Sequence, residues 1–197
     1  MNSSQKIFKI CFFGPSGSGK STCAEIIKSK LIQKKWLVKK INVAEPLHQI
    51  QKYIYDVFGL ANTGQDGPLL QFIAKYFESQ LGPCFSKKVA EIVEQSCNCP
   101  LVIINSDCRN NSYQYLKSLG FKFIRVATAE NNISDRLALR GDTAPAQKNH
   151  SVEQTSDIIA DYSIDNNDSI DLLSNKIDQL IDSLIISSKR VCLKDLY

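Results

Sequence analysis

The chain has 197 residues and a net charge of +4, with 24 basic and 20 acidic side chains. A chain of this length is expected to form one domain with a sizeable core, and its charge is too small to indicate nucleic-acid binding. No stretch approaches the roughly 20 apolar residues of a membrane span, and the first residues lack the apolar core of a signal peptide, so we expect a cytoplasmic protein that contacts no membrane.

Short apolar runs and helical periodicities alternate along the chain. They predict strands at residues 7–13, 36–43, 101–105, 122–126 and 161–165. They predict helices at residues 21–31, 47–58, 68–81, 85–95, 111–119, 131–140 and 168–187, and a mobile loop at 141–151. This alternation predicts a single domain with a three-layer α/β fold, in which helices cover both faces of a mostly parallel sheet. The helices between residues 46 and 97 interrupt the alternation and are expected to cover an acceptor substrate.

Residues 14–21 read Gly-Pro-Ser-Gly-Ser-Gly-Lys-Ser, a complete G-x-x-x-x-G-K-[ST] phosphate-binding loop between the first strand and the first helix. Backbone N–H groups of such a loop turn inward around phosphate oxygens, and the helix N-terminus adds partial positive charge. Lys20 is expected to neutralise charge on the β- and γ-phosphates, and Ser21 to ligate Mg²⁺. The motif therefore predicts binding of ATP with Mg²⁺ at Gly14, Ser16, Gly17, Ser18, Gly19, Lys20, Ser21 and Thr22.

A second candidate site follows the strand predicted at residues 101–105. Asp107 lies two residues beyond this strand, where phosphate-loop proteins hold Mg²⁺ directly or through water. Arg109 would share the same edge of the sheet. Asp107 is therefore a predicted metal-binding and catalytic residue, and Arg109 a predicted substrate-binding residue. The alternative is a turn with a surface arginine.

A third candidate site is the pair Arg136 and Arg140, which a helix presents on one face because they are four residues apart. Phosphoryl transfer needs positive charge on the transferring group once the substrates are bound, and a closing lid supplies this charge while it excludes water. We therefore predict a lid at about residues 136–151 in which both arginines are catalytic. A solvated basic helix face is the alternative.

Glu45 lies at the end of the second predicted strand and hence at the same edge of the sheet. It could bind the acceptor or take its proton. Because Pro46 suits the first position of a helix, Glu45 could instead simply begin the next helix. The sequence leaves both interpretations of Glu45 open.

Together, these segments resemble the nucleoside and deoxynucleoside monophosphate kinase group, including its dephospho-coenzyme A kinase relatives. The resemblance covers most of residues 7–182. Residues 44–47 (Ala-Glu-Pro-Leu) and 69–71 (Leu-Leu-Gln) resemble Ala-Asp-Pro-Leu and Leu-Leu-Gln segments of the phage-type deoxynucleotide kinases. Residues 107–109 resemble their Asp-Val-Arg, residues 136–140 their lid arginines, and residues 160–167 their Ala-Asp-Tyr-Val-Ile-Asp-Asn. This resemblance implies a nucleotide acceptor whose phosphate Arg109 binds.

The chain departs from that group after Leu-Leu-Gln, where Gly-Thr-Glu and an arginine are expected. Residues 72–78 read Phe-Ile-Ala-Lys-Tyr-Phe-Glu instead. An arginine that would bind the phosphate of a nucleotide acceptor is therefore missing from this segment.

The residues favour an ATP-dependent kinase that requires Mg²⁺ and phosphorylates a small molecule, with a nucleoside or deoxynucleoside monophosphate as the leading acceptor. A kinase of a hydroxyl group, on a metabolite or a modified nucleobase or nucleoside, is an alternative in which Glu45 or Asp107 would act as the base. A regulatory module that binds ATP and hydrolyses it slowly is an alternative from another class.

Overall fold

A computed structural model describes residues 7–61, 64–94, 101–139 and 155–194. Within these ranges, strands and helices follow one another in the predicted order. The elements are β1 (Ile7–Phe13), α1 (Lys20–Gln33), β2 (Leu37–Lys40), α2 (Glu45–Val57), α3 (Gly67–Leu81), α4 (Cys84–Glu94), β3 (Leu101–Asn105), α5 (Asn110–Ser118), β4 (Lys122–Ala127), α6 (Glu130–Leu139), β5 (Tyr162–Asp165) and α7 (Ile170–Lys194).

The strands form one sheet in the order β2-β3-β1-β4-β5, and every neighbouring pair is parallel. The central strand β1 is an almost continuous apolar run, as expected for a strand that helices cover on both faces. The predicted three-layer α/β fold is confirmed. Because all the strands run in one direction, the segments after β1, β2, β3, β4 and β5 meet at a single edge of the sheet.

Two hydrophobic clusters, one on each face of the sheet, hold the layers together. Alternate residues of β1 point to opposite faces, so Phe12 packs with α1 and α7 whereas Phe13 packs with α4 and α5. A smaller cluster, which includes Leu47 and Phe85, joins α2, α3 and α4. These helices lie over one end of the sheet, where they form the wall of a cavity described below.

The observed bounds differ from the predicted ones at the β2–α2 connection, which affects the site, and at the end of α7. Strand β2 ends at Lys40 rather than at residue 43, and α2 begins at Glu45 rather than at residue 47. Helix α7 extends to Lys194, beyond the predicted end at residue 187. Arg140 and the loop predicted at 141–151 lie outside the described residues. No helix in the described ranges is long and apolar enough to cross a membrane.

Burial of α7 against the sheet gives a test of this packing. Ile177 is fully buried in the cluster with α1, whereas Leu172 on the same helix is 49% exposed. We expect Ile177→Ala to lower the free energy of unfolding by about 2–4 kcal/mol, because it leaves a cavity in the core. The matched change Leu172→Ala is expected to cost less than about 1 kcal/mol. Urea unfolding of both variants measures the difference, and equal losses would contradict the packing described.

Candidate active site

The phosphate-binding loop connects β1 to α1 in a conformation that requires glycine. Gly14, Gly17 and Gly19 have positive φ angles of 145°, 80° and 92°, a region that other residues rarely adopt. At Gly14 there is also no room for a side chain, because a Cβ atom would lie 2.7 Å from the carbonyl oxygen of Val126. The loop is therefore an open backbone cradle that lies directly against the end of β4.

The carbonyl oxygen of Ser18 ties this loop to two neighbouring strands. It accepts hydrogen bonds from Thr128 Oγ1 (2.9 Å), just after β4, and from Asn166 Nδ2 (2.8 Å), just after β5. Ala129 N in turn donates to Asn167 Oδ1 at 2.6 Å, which joins the two segments to each other. Neither Thr128 nor Asn166 was predicted as a site residue, although both are polar residues that follow a buried strand.

Lys20 is the first residue of α1, and its side chain turns back into the loop. It is 8% exposed, and its Nζ donates to the carbonyl oxygens of Gly14 (3.0 Å) and Pro15 (2.7 Å). The ammonium group is thus held at the mouth of the cradle, where phosphate oxygens could replace these carbonyls. Ser21 and Thr22 are exposed on the first turn of α1, and the half-buried Ser16 lies within the loop.

Helix α6 packs on the phosphate loop and brings Arg136 to it. A Cβ atom at Gly17 would lie 3.0 Å from Leu137 Cγ of this helix, and one at Gly19 would lie 3.7 Å from Arg136 Nη1. Arg136 Nη2 donates to the carbonyl oxygen of Asn166 (3.1 Å), whereas Nη1 is buried without a hydrogen-bond partner among the described residues. The Ser18 hydroxyl is also buried without such a partner.

Buried polar groups without partners are costly, because they have lost their hydrogen bonds to water. A phosphate group bound in the loop could offer an acceptor oxygen to Arg136 Nη1, which lies beside Gly19. The site therefore fits a polyphosphate group on observations that are independent of the sequence motif.

Asp107, the predicted metal-binding residue, holds the turn between β2 and α2. Its Oδ1 accepts hydrogen bonds from Val43 N (2.9 Å) and Asn105 Nδ2 (2.8 Å), and its Oδ2 accepts one from Ala44 N (2.7 Å). A carboxylate has about four acceptor positions, so these bonds leave room for one water molecule. Asp107 thus fits an indirect, water-mediated contact with Mg²⁺ better than direct ligation.

Mg²⁺ in phosphate-binding sites keeps several waters and takes much of its coordination from the nucleotide. The described residues contain no cluster of three or more His, Cys, Asp or Glu side chains that could hold a metal by itself. The Ser21 hydroxyl and the remaining acceptor position of Asp107 suit an ion of this kind.

Asn105 at the end of β3 joins the same network and was not anticipated. Its Nδ2 donates to the carbonyl oxygen of Ile41 (3.0 Å), and its Oδ1 accepts from the thiol of Cys11 (3.1 Å) and from Asp107 N (3.2 Å). Burial raises the pKa of the Cys11 thiol well above its ordinary value, which keeps it protonated as a donor. A single buried amide therefore connects the ends of β1, β2 and β3.

A cavity of about 170 Å³ lies between this network and the helices α2, α3 and α4. Arg109, at the N-terminus of α5, and Asp107 are both in its wall, so the structure brings these two predicted residues together. Arg109 N donates to Ser112 Oγ (3.1 Å), which fixes the start of α5. The other lining residues are Val43, Ala44, Leu47, His48, Gln65, Gly67, Leu70, Gln71, Ala74, Glu78, Phe85, Asn111 and Ser112.

The structure places Glu45 away from this cavity, which we call the acceptor cavity because it lies under the helices predicted to cover an acceptor. Glu45 is exposed and lines a separate cavity of about 410 Å³, together with Lys39 and Lys88. Because α2 already begins at Glu45, successive side chains rotate by about 100°, and Leu47 and His48 face the acceptor cavity instead. The structure therefore does not bring Glu45 together with Arg109.

The close approach between the phosphate loop and Asn166 can be tested at Gly19. A Cβ atom there would collide with Asn166 Nδ2, whereas one at Gly120, which also has a positive φ angle, meets nothing closer than Lys9 Nζ at 3.9 Å. Both Gly→Ala changes strain the backbone by about 1 kcal/mol. We expect Gly19→Ala to cost about 1–3 kcal/mol more in urea unfolding, because it also breaks the bond to Ser18. Equal losses in the two variants would contradict the contact.

No protein-family model and no curated protein matches the chain. Among solved structures, the APS kinase of Mycobacterium tuberculosis in complex with AMPPNP and APS superposes with a TM-score of 0.57 at 13% identity, over 90% of this chain and 99% of that one. A gluconokinase from Sinorhizobium meliloti 1021 superposes with a TM-score of 0.51 at 15% identity, over 92% of this chain and 97% of that one. Likenesses at this level of identity concern the fold, so the chain has the fold of the P-loop kinases.

Proposed function

We propose that the protein is an ATP-dependent, Mg²⁺-requiring kinase that phosphorylates a nucleoside or deoxynucleoside monophosphate. The observation that carries this proposal is the packing of α6 on the phosphate loop, which puts an unpartnered guanidinium nitrogen of Arg136 beside Gly19. A glycine-rich turn with only a structural role does not require a half-buried arginine packed against it. A loop that presents a phosphoryl group for transfer does, because negative charge must be stabilised during the reaction.

The donor side of the site is built from the loop, α1 and α6. The backbone N–H groups of residues 14–20 and the N-terminus of α1 would bind the β- and γ-phosphates of ATP. Lys20 would exchange its bonds to Gly14 and Pro15 for phosphate oxygens, and Arg136 would bind the transferring group. Arg140 is proposed to join it in a lid of about residues 136–151.

Mg²⁺, when bound, neutralises charge on the β- and γ-phosphates. Ser21 would ligate it directly and Asp107 through a water molecule. Asp107 also holds the turn that forms one wall of the acceptor cavity, through its bonds to Val43 and Ala44.

The acceptor side is the cavity under the helices between residues 46 and 97. Its apolar wall, which includes Leu47, Leu70 and Phe85, suits a planar base, and Arg109 supplies positive charge for a phosphate. A phosphate acceptor arrives already ionised, so the reaction needs no general base. This agrees with an Asp107 carboxylate that is occupied by backbone N–H groups.

A kinase of a hydroxyl group is the second candidate, and the charges of the acceptor cavity favour it. Besides Arg109, the charged lining residues are the carboxylates of Asp107 and Glu78. Glu78 accepts a hydrogen bond from Asn111 Nδ2 at 3.0 Å, which orients it in the cavity wall. Such a carboxylate could take the proton of a hydroxyl acceptor.

A screen for transfer of a label from the γ-phosphate of ATP tests the proposed function. The acceptors are nucleoside monophosphates, nucleosides and hydroxylated metabolites, each offered with Mg²⁺. We expect the label on a nucleoside or deoxynucleoside monophosphate. Label on a hydroxyl compound would establish the second candidate, and release of inorganic phosphate without any labelled acceptor would favour the regulatory module.

The role of Arg136 predicts a specific kinetic change. Arg136→Ala should lower kcat by about 10²-fold or more, with a smaller rise in the KM for ATP, because the guanidinium stabilises charge mainly in the transition state. Asn132→Ala is the matched control. Asn132 Nδ2 also anchors α6, by donating to the carbonyl oxygen of Asn167 (3.3 Å), but it carries no charge. Equal kcat values in the two variants would show that Arg136 only docks the helix.

The effects of Glu78→Gln and Glu45→Gln on kcat distinguish a kinase of a phosphate group from a kinase of a hydroxyl group. With a phosphate acceptor, Glu78→Gln should change kcat by less than about threefold, because no proton has to be removed. Glu45→Gln should also have little effect, since Glu45 lies outside the acceptor cavity. If Glu78→Gln lowers kcat by about 10²–10⁴-fold while Glu45→Gln does not, Glu78 is a general base and the acceptor is a hydroxyl.

A further inference from the structure

Arg125 occupies an unusual place in the sheet. It lies in β4, between β1 and β5, where its neighbours Ile124 and Val126 are fully buried, yet its own side chain is exposed. Its guanidinium carbon lies 5.4 Å from the centroid of the Phe13 ring, and Phe13 is its partner in the register of β1 and β4. A cation placed over an aromatic face is oriented by that ring.

The position of Phe13 shows where this guanidinium lies relative to the site. Phe13 is the last residue of β1, and Gly14 of the phosphate loop follows it directly. Phe13 also belongs to the same buried cluster as Cys108, which precedes Arg109. Arg109 and Arg125 therefore lie on the same face of the sheet, after β3 and near the end of β4, on either side of β1.

The spacing of strands allows both arginines to reach one ligand. Neighbouring strands are about 4.8 Å apart, so β3 and β4 are separated by about 10 Å across β1. Two extended arginine side chains that approach from opposite sides can span this distance and meet an anion held in front of β1. That position adjoins the phosphate loop, which begins directly after Phe13, and Arg109 would reach it from the wall of the acceptor cavity.

The guanidinium group of Arg125 contacts the Phe13 ring but has no polar partner among the described residues. Among the described residues it makes no hydrogen bond and no ion pair, whereas Lys122 on the same strand pairs with Asp161 at 2.9 Å. The chain has five arginines, and four of them lie between residues 109 and 140, in the segments that surround the site. Arginine binds phosphate through a planar fork of donors, which lysine lacks.

We propose that Arg125 is an acceptor-binding residue that, together with Arg109, holds the anionic group of the acceptor in front of β1. The inference rests on the proposed function and deepens it. Arg109 lines the acceptor cavity and Arg125 does not, so the anionic group would lie between the cavity and β4, with Arg125 approaching it from the sheet. The inference also favours an acceptor that carries a phosphate over one that offers only hydroxyl groups.

Two measurements test the proposal with Arg125→Ala, Arg125→Lys and the control Lys122→Ala. The first is calorimetric titration of inorganic phosphate into protein saturated with Mg²⁺ and AMPPNP, which fills the donor site. We expect Arg125→Ala to weaken phosphate binding by about tenfold or more, Arg125→Lys to weaken it less, and Lys122→Ala to leave it unchanged. The second is the KM for the labelled acceptor, which should rise by a similar factor in Arg125→Ala while the KM for ATP stays constant.

The outcomes distinguish this inference from the proposed function. If the wild type transfers phosphate but Arg125→Ala matches Lys122→Ala in both measurements, Arg125 does not bind the acceptor and the kinase stands. If no acceptor is labelled, the proposed function fails, and the phosphate titration still decides the role of Arg125. Absence of phosphate binding to the wild type would also overturn the inference. Should Arg125→Ala fail to fold in a thermal melt, Arg125→Lys, which keeps the charge but lacks the planar fork, takes its place.

Discussion

The carbonyl oxygen of Ser18 is the point on which the donor side of the site depends. It accepts hydrogen bonds from Thr128 and Asn166, so one backbone group of the phosphate loop is held by side chains that follow β4 and β5. These two bonds fix the conformation of the loop next to the ends of β4 and β5. Asn166 in turn accepts the bond from Arg136 through its own carbonyl oxygen, so the same contacts position the cation of α6.

On the acceptor side, Asn105 and Asp107 hold the backbone in place, as Thr128 and Asn166 do on the donor side. Together they bind the backbone of Ile41, Val43 and Ala44, and this network ends β2 early and starts α2 at Glu45. The half-buried carboxylate of Asp107 is satisfied by two backbone N–H groups and the Asn105 amide rather than by a counter-ion. Asp107 thus shapes the acceptor cavity, and one oxygen lone pair remains for the proposed water-mediated contact with Mg²⁺.

The periodicity of the sequence predicted every described strand and helix to within a few residues, apart from the longer C-terminal helix, because buried parallel strands and amphipathic helices leave strong patterns. It could not predict which polar residues at the strand ends meet one another. Asp107 was singled out because it follows a buried strand, but Thr128, Asn166 and Asn105 satisfy the same rule or lie at the last position of a strand. Their partners include backbone carbonyl groups far away along the chain. The periodicity of the local sequence does not indicate such contacts. The side chain of Glu45 lies outside the acceptor cavity because α2 begins at Glu45, two residues earlier than predicted.

The central claim is that the phosphate loop supports transfer of the γ-phosphoryl group of ATP. Single-turnover transfer from labelled ATP, compared between Lys20→Ala and Lys28→Ala, tests it most directly. Lys28 lies on the same helix and, among the described residues, forms a surface ion pair with Glu25 at 3.6 Å. We expect a loss of about 10³-fold or more for Lys20→Ala and a rate near that of the wild type for Lys28→Ala. Equal transfer rates in these two variants would contradict it.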